Sequence, residues 1–526
     1  MGAGVKVAVP SLRWRAFVVL LLLVGFYLGT FVLSATLFAA PCMLVYGTGF
    51  HGLQTVVAFV AGWAPAFVLF FAVLGARPPA FSPDGIELFL SHNRALHALV
   101  DEVAKEAGTA PPTEIYLMGT PMAGVVEVGG LFARRPKRVL LLGAPLLTGI
   151  TVRQLRAILA HEMGHFIGGE TRLSGVISYA QHTFAAVYEA SVKRGEGSSS
   201  AYGSIATEAT HFIGTGYVRL YMRLFLALTR PTSRKQEIAA DALSVRLAGR
   251  EAAIGALERS HCIAALHHAY LENEVRPALR AGAAPIELLD GFERFCAKIR
   301  ERGLEAKLSE LVREEKTDPF DSHPAYTDRV EMMKTFEEGP RGEVAGGERR
   351  AIELIELDPE KLREWLVDLL LDAHGHGRAV PRLAWATIAE KKLPAQIKKD
   401  AKEVVELLSP HFPGVKGVRQ TFLAAVGSLA DGSFVRIAHA LAPVIAHLGN
   451  AHRVGVVQSL GAALLTPLFE ASLLARGASV EVSLGEPSRA LVLDGERVLA
   501  GDLAAKAMSD GAAAAEVTRW AEKLAA

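Results

Sequence analysis

The sequence predicts a mainly α-helical protein with a small β-sheet, an N-terminal transmembrane hairpin of two spans, and a helical C-terminal domain. Three observations predict it. Two uncharged runs of membrane length open the chain, short β-favouring segments follow a proline-rich linker, and most of the remainder carries apolar residues at helical spacing. At 526 residues the chain is too long for one ordinary core, so two or three domains are expected.

The hairpin comes first. No charged residue lies between Ala16 and Tyr46, and Ala16 to Ala40 alone exceeds the roughly 20 residues that a helix needs to cross a bilayer. A second uncharged run, Leu53 to Ala76, follows a break containing Pro41, Gly47, Gly49 and His51, which reads as a tight turn. A cleaved signal peptide is the competing reading, because Lys6, Arg13 and Arg15 precede the first run and small residues occur at Ser34 to Ala40. The run is longer than a signal peptide's roughly 7 to 15 apolar residues, however, and a second span follows at once. Basic residues flank the hairpin (Lys6, Arg13, Arg15 and Arg77) and none lies in its turn, so both ends, and the large domain with them, are expected on the cytoplasmic side. Composition rich in Ala, Gly and Arg points to a bacterium with GC-rich DNA, so the expected location is the bacterial cytoplasmic membrane, with the lipid bilayer as a partner.

Beyond the hairpin the chain is balanced. Its 56 basic and 55 acidic residues give a net charge of +1, which offers no field to attract nucleic acid, and DNA and RNA are excluded as partners. Cys42, Cys262 and Cys296 form no CxxC pair, so neither a disulfide framework nor a thiolate metal site is expected.

Pro78, Pro79 and Pro83 mark a linker, after which Ile86 to Ala107 has helical spacing at Leu88, Leu90, Leu96, Leu99, Val100 and Val103. Strands are expected at Glu114 to Met118, Val125 to Val128 and Val139 to Leu142. Thr151 with Gln154 three residues on has capping-box spacing, and Gly168-Gly169 closes the helix so opened. Residues 173–230 are ambiguous; His211 to Leu228 is apolar, but Arg219 and Arg223 share a face, which favours an interfacial or buried helix over a span. From Arg350 the chain is mostly helical, with strands expected at Val480 to Leu484 and Ala490 to Leu493. The expected domains are 1–77, 78–340 and 350–526. His374 and His376 sit among glycines, a polar loop rather than a metal site.

The chemistry is concentrated in His161-Glu162-Met163-Gly164-His165. On a helix, positions i and i+4 put both imidazoles on one face, close enough for one metal ion, and zinc suits neutral imidazole nitrogens. Glu162, beside the first ligand, is placed to serve as general base toward water rather than to bind the metal. The bland alternative is a helix whose His161 and Glu162 are satisfied by neighbours. A third ligand is then needed, and Glu237 with Asp241 one turn on is the best candidate pair: Glu237 completes the coordination and Asp241 accepts the free N–H of a zinc-bound histidine. A solvated acidic face is the alternative there, but Ile238, Ala239, Ala240, Ala242 and Leu243 mark a buried helix, where a carboxylate needs a cation or a metal.

HExxH with a distant ExxxD, two spans just upstream and a later Ser322-His323-Pro324 followed by Arg329 together resemble the integral-membrane gluzincins, the family of the HtpX heat-shock protease and the CAAX prenyl protease. The resemblance covers about residues 14–335. It implies a zincin-like α+β fold, one Zn2+ per chain on His161, His165 and Glu237, Glu162 as base, and peptide-bond hydrolysis of a protein or peptide substrate. It also implies that His323 lies over the active site as an oxyanion donor, that Arg329 supports its loop, and that Met122-Ala123, where family members commonly carry an Asn-Ala pair, is the substrate-contacting pair. Quality control of membrane proteins is the expected setting. Two other readings remain open. A non-catalytic membrane scaffold would be favoured by loss of a ligand or the base, and a zinc hydrolase of a non-peptide substrate would be favoured by a closed pocket in place of a groove.

Overall fold

A computed structural model describes residues 12–48, 52–75, 83–128, 137–168, 170–193, 201–314, 325–339, 346–375, 379–441 and 450–526. The chain forms two compact units. Residues 1–261 with 310–356 make the first, and residues 262–309 with 357–526 the second. The segment 262–309, grouped with the expected 78–340 domain, thus clusters with the C-terminal helices.

In the first unit α1 (Leu12–Thr48) and α2 (Leu53–Gly75) form the two apolar helices, each long and apolar enough to cross a membrane. Pro41, expected in the turn, instead lies inside α1. Of the 86–107 stretch only the second part is helical: β1 (Ile86–Glu87) pairs antiparallel with the strand that follows, and α3 spans Arg94–Ala107. Three further strands, β2 (Glu114–Met118), β3 (Ala123–Val128) and β4 (Lys137–Gly143), stand where the sequence places them. They complete a sheet in the order β1-β2-β4-β3, with β2 parallel and β3 antiparallel to β4. β4 is buried through Val139 to Gly143, as a central strand must be, whereas β3 is an edge strand among the described residues.

After α4 (Ala144–Gly149), α5 (Val152–Gly168) begins at the expected capping box. The Gln154 N–H donates to Thr151 Oγ1 at 3.2 Å, and the Thr151 N–H donates to Gln154 Oε1 at 3.0 Å. α6 (Glu170–Lys193) is followed by α7 (Ala201–Ala248), one 48-residue helix, and by α8 (Arg250–Tyr270).

Among the described residues α6 and α7 do not reach the length and apolarity of a span, yet both pack along α1 and α2. Phe26 of α1, Leu69 of α2, Phe184 of α6 and Phe225 of α7 are buried in one cluster. Tyr217 and Tyr221 lie one turn apart on α7, and their hydroxyls donate to the carbonyls of Phe26 and Leu22. Gly25 and Gly29 leave room for them: a Cβ at either would lie 2.8 Å from a tyrosine hydroxyl. Arg219 and Arg223 are exposed, and Arg219 lies over the Tyr188 ring.

The second unit is built around the helix Asn450–Ala475. By length and composition this helix also qualifies as a span, but Leu464, Leu465, Leu468, Phe469 and Leu473 are buried in the unit's own core. An all-round apolar helix of this kind fits a core equally well. The sheet beside it holds Ala490–Leu493 as expected, Ser479–Glu481, which overlaps only the start of the expected Val480 to Leu484, and a third strand, Glu496–Leu499, that was not expected.

Candidate metal centre

The site forms where α5 crosses the second half of α7. The crossing is close because Gly164 faces Ala240: a Cβ on Gly164 would stand 2.8 Å from the Ala240 Cα. Two turns away Ser244 Oγ donates to the Ala157 carbonyl at 2.8 Å. Small residues on both helices therefore bring α7's carboxylates within reach of α5's histidines.

His161 Nε2 and His165 Nε2 are 3.2 Å apart. Glu237 places Oε2 3.6 Å from the first and Oε1 3.6 Å from the second. One donor atom from each residue lies within 4.8 Å of the others, the spacing of a single ion's ligands. Behind them His161 Nδ1 is 3.0 Å from Asp241 Oδ1, so the Nδ1–H donates to the carboxylate and the Nε2 lone pair faces Glu237. Arg329 grips the same carboxylate with two bonds, Nε to Oδ2 at 2.9 Å and Nη2 to Oδ1 at 2.6 Å. Burial pushes the Asp241 carboxyl up, but Arg329 and His161 outweigh it and hold the group below the usual carboxylate range. Asp241 is only 2% exposed, so it depends on these partners for its charge, and Glu237 is buried beside it at 4%.

A cavity of about 300 Å³ opens beside the centre, with Glu162, His161 and Asp241 on its wall. Ala123 lines it from β3, and the neighbouring Met122 carbonyl accepts the Gly143 N–H at 2.7 Å. The expected residues His161, Glu162, His165, Glu237, Asp241 and Arg329 thus meet in one place, with Ala123 at its rim. Arg329, expected beneath the His-Pro loop, is bonded to Asp241. His323 and His376 lie outside the described residues, and His374 ends the helix Pro359–Ala373 with Nδ1 2.9 Å from the Leu370 carbonyl. Sequence reasoning missed Ala256, Leu257 and His261 of α8 and Met333 of the helix Tyr326–Met333, which form the cavity's far wall. Their spacing is that of ordinary packing helices and carries no signal of its own.

Residues 90–337 match Peptidase family M48. The chain is also similar to proteins named Protease HtpX. That of Stutzerimonas stutzeri is 25% identical over 249 residues, which cover 46% of this chain and 73% of that protein. That of Ectopseudomonas mendocina is 26% identical over 291 residues, 54% of this chain and 87% of the relative. That of Vibrio cholerae is 28% identical over 214 residues, 39% of this chain and 71% of the relative. No solved structure matches the chain. The domain at residues 90–337 thus matches Peptidase family M48, and with apolar helices just upstream the chain is similar to the membrane metallopeptidases of that family.

Proposed function

We propose that the chain is a zinc metalloendopeptidase whose metal is held by His161, His165 and Glu237 and whose general base is Glu162. The observation that carries this reading is the donor triangle of 3.2, 3.6 and 3.6 Å beside a buried Glu162. Two nitrogens bound tetrahedrally to zinc at about 2.1 Å stand about 3.4 Å apart, so the triangle fits that ion with little adjustment. Two imidazoles and one carboxylate leave a fourth position, the composition of a catalytic centre rather than a structural one. When bound there, zinc supplies Lewis acidity toward the scissile carbonyl and toward water.

The protein's own groups do the rest. Glu162 accepts a proton from the attacking water and returns it to the departing amine. Asp241 orients His161, and Arg329 keeps Asp241 ionised. An extended substrate segment would add to the edge of β3 that carries no partner strand among the described residues, passing Met122-Ala123 at the cavity mouth. His323 is assigned to the developing oxyanion on the family resemblance. Basic residues flanking the hairpin favour a cytoplasmic catalytic face in a bacterial membrane, and quality control of membrane proteins is the setting that the family resemblance implies.

The test is casein degradation and self-cleavage by detergent-purified, zinc-loaded wild type and Glu162→Gln. Cleavage should vanish in the variant while bound zinc stays at one per chain. Equal cleavage by both proteins would remove Glu162 from its role, and zinc binding without cleavage by either would favour the scaffold reading.

A further inference from the structure

The second unit holds a larger cavity, about 460 Å³, within the range of small-molecule sites. Two π-helical turns occur among the described residues, Leu271–Val275 and Ile388–Lys392, and both contribute to its wall, through Glu274 and Ala389. Such turns are rare and gather at functional sites, because the extra residue strains the helix to aim a side chain.

The aim is visible at Gly485, which sits on the loop between the strands Ser479–Glu481 and Ala490–Leu493 with φ at 78°. A Cβ there would lie 2.8 Å from the Phe295 carbonyl, so only glycine lets the loop press this closely. The Gly485 N–H donates to Glu274 Oε1 at 2.9 Å, and its carbonyl accepts from Arg302 Nη1 at 2.6 Å. Gly485 thereby holds a carboxyl through its N–H and a guanidinium through its carbonyl, both on the cavity wall. The other charged groups on that wall are already matched: Arg489 with Glu470, and Glu481 and Glu486 with Arg497. Glu274 spends one oxygen on Gly485 and Arg302 one of its five N–H donors, which leaves each with bonding capacity. Burial pushes the Glu274 carboxyl up to about 7, with the Gly485 N–H and the charge of Arg489 pulling the other way. Leu266, Phe295 and Trp385 supply an apolar wall.

We propose that this cavity binds a free α-amino acid with a large apolar side chain, its carboxylate on Arg302, its ammonium on Glu274, and its side chain against Leu266, Phe295 and Trp385. A zwitterion brings an opposite charge to each of the two groups, and the volume accommodates leucine or phenylalanine. The site owes nothing to the metal centre and stands whether or not the peptidase reading does.

Equilibrium dialysis of radiolabelled L-leucine against the full, detergent-purified chain tests it. Saturable binding of one leucine per chain is expected, with leucinamide and 4-methylpentanoate, each lacking one charge, at least about tenfold weaker as competitors. Arg302→Gln and Glu274→Gln should each weaken binding to a similar extent. Ala269→Leu, which fills the cavity without touching either charge, should abolish binding in a folded protein. Glu162→Gln should bind as the wild type does. Absence of saturable binding, equal competition by either analogue, or undiminished binding by the Arg302 and Ala269 variants would overturn the proposal. So would loss of binding in Glu162→Gln, because the leucine would then occupy the peptidase centre.

Discussion

Asp241 and Glu274 are both buried carboxylates, one in each unit, and their surroundings drive them in opposite directions. Asp241 is gripped through both oxygens by Arg329 and takes the Nδ1–H of His161, so it stays ionised below the usual range. Glu274 has a backbone N–H as its hydrogen-bond donor, and burial wins. The difference is geometric rather than a matter of depth. A planar guanidinium aligned with both carboxylate oxygens offsets desolvation, whereas one neutral donor does not. A carboxylate locked in this way suits a positioning role, and one left half-satisfied suits binding of a cation.

Removing the guanidinium breaks the comparison most severely. Arg329→Met should leave Asp241 as a buried charge with no close compensating guanidinium and cost about 3–5 kcal/mol, read as a fall in the thermal midpoint of the metal-free protein. A loss within about 1 kcal/mol would mean that water or another cation takes over, and that the two carboxylates differ less than their bonds indicate.

Glu274 carries the next effect, and its sign is opposite to that of a salt-bridged acid. Its folded value of about 7 lies above its ordinary 4.5, so between those limits the folded state holds more protons than the unfolded one. Stability of the second unit should therefore decline as pH rises from about 4.5 to 7, by at most about 3 kcal/mol. Glu274→Gln should remove its own share of that decline and leave that of Glu470, whose carboxyl burial also pushes up to about 7, which urea titrations at pH 5 and pH 7 followed by proteolysis of the second unit would show. An unchanged slope in the variant would assign the pH dependence elsewhere.

How much of this was legible in the sequence follows the same divide between local and distant causes. The capping box at Thr151, the two α5 histidines and the three strands β2, β3 and β4 are written in neighbouring residues, and the structure has them in place. Glu237 and Asp241 could be picked out because one turn separates them within an apolar run. The role of Gly164 could not, since it depends on Ala240, 76 positions later. Nor could the continuity of α7, whose first half mixes arginines with buried aromatics because it packs on α1 through tyrosine hydroxyls rather than through an apolar stripe. The strand Glu496–Leu499 was missed although its signal was present. Asp494-Gly495 is a two-residue turn with φ of 53° and 79°, the Asp-Gly pattern of a tight hairpin.

The smallest predicted effect sharpens the comparison at the metal centre itself. Asp241→Asn keeps the side chain's size and a carbonyl that can still accept the His161 Nδ1–H, but it removes the charge that both Arg329 and His161 meet. Imidazole basicity should drop and its orientation loosen, so zinc affinity should fall about 10- to 100-fold while the three ligands remain. Competition with a chelator of known affinity measures the loss, and casein cleavage at saturating zinc should recover most of the activity, because Glu162 is untouched. If zinc affinity is unchanged, Asp241 serves only to hold Arg329, and the ionised state of the buried carboxylate contributes to the fold without reaching the metal.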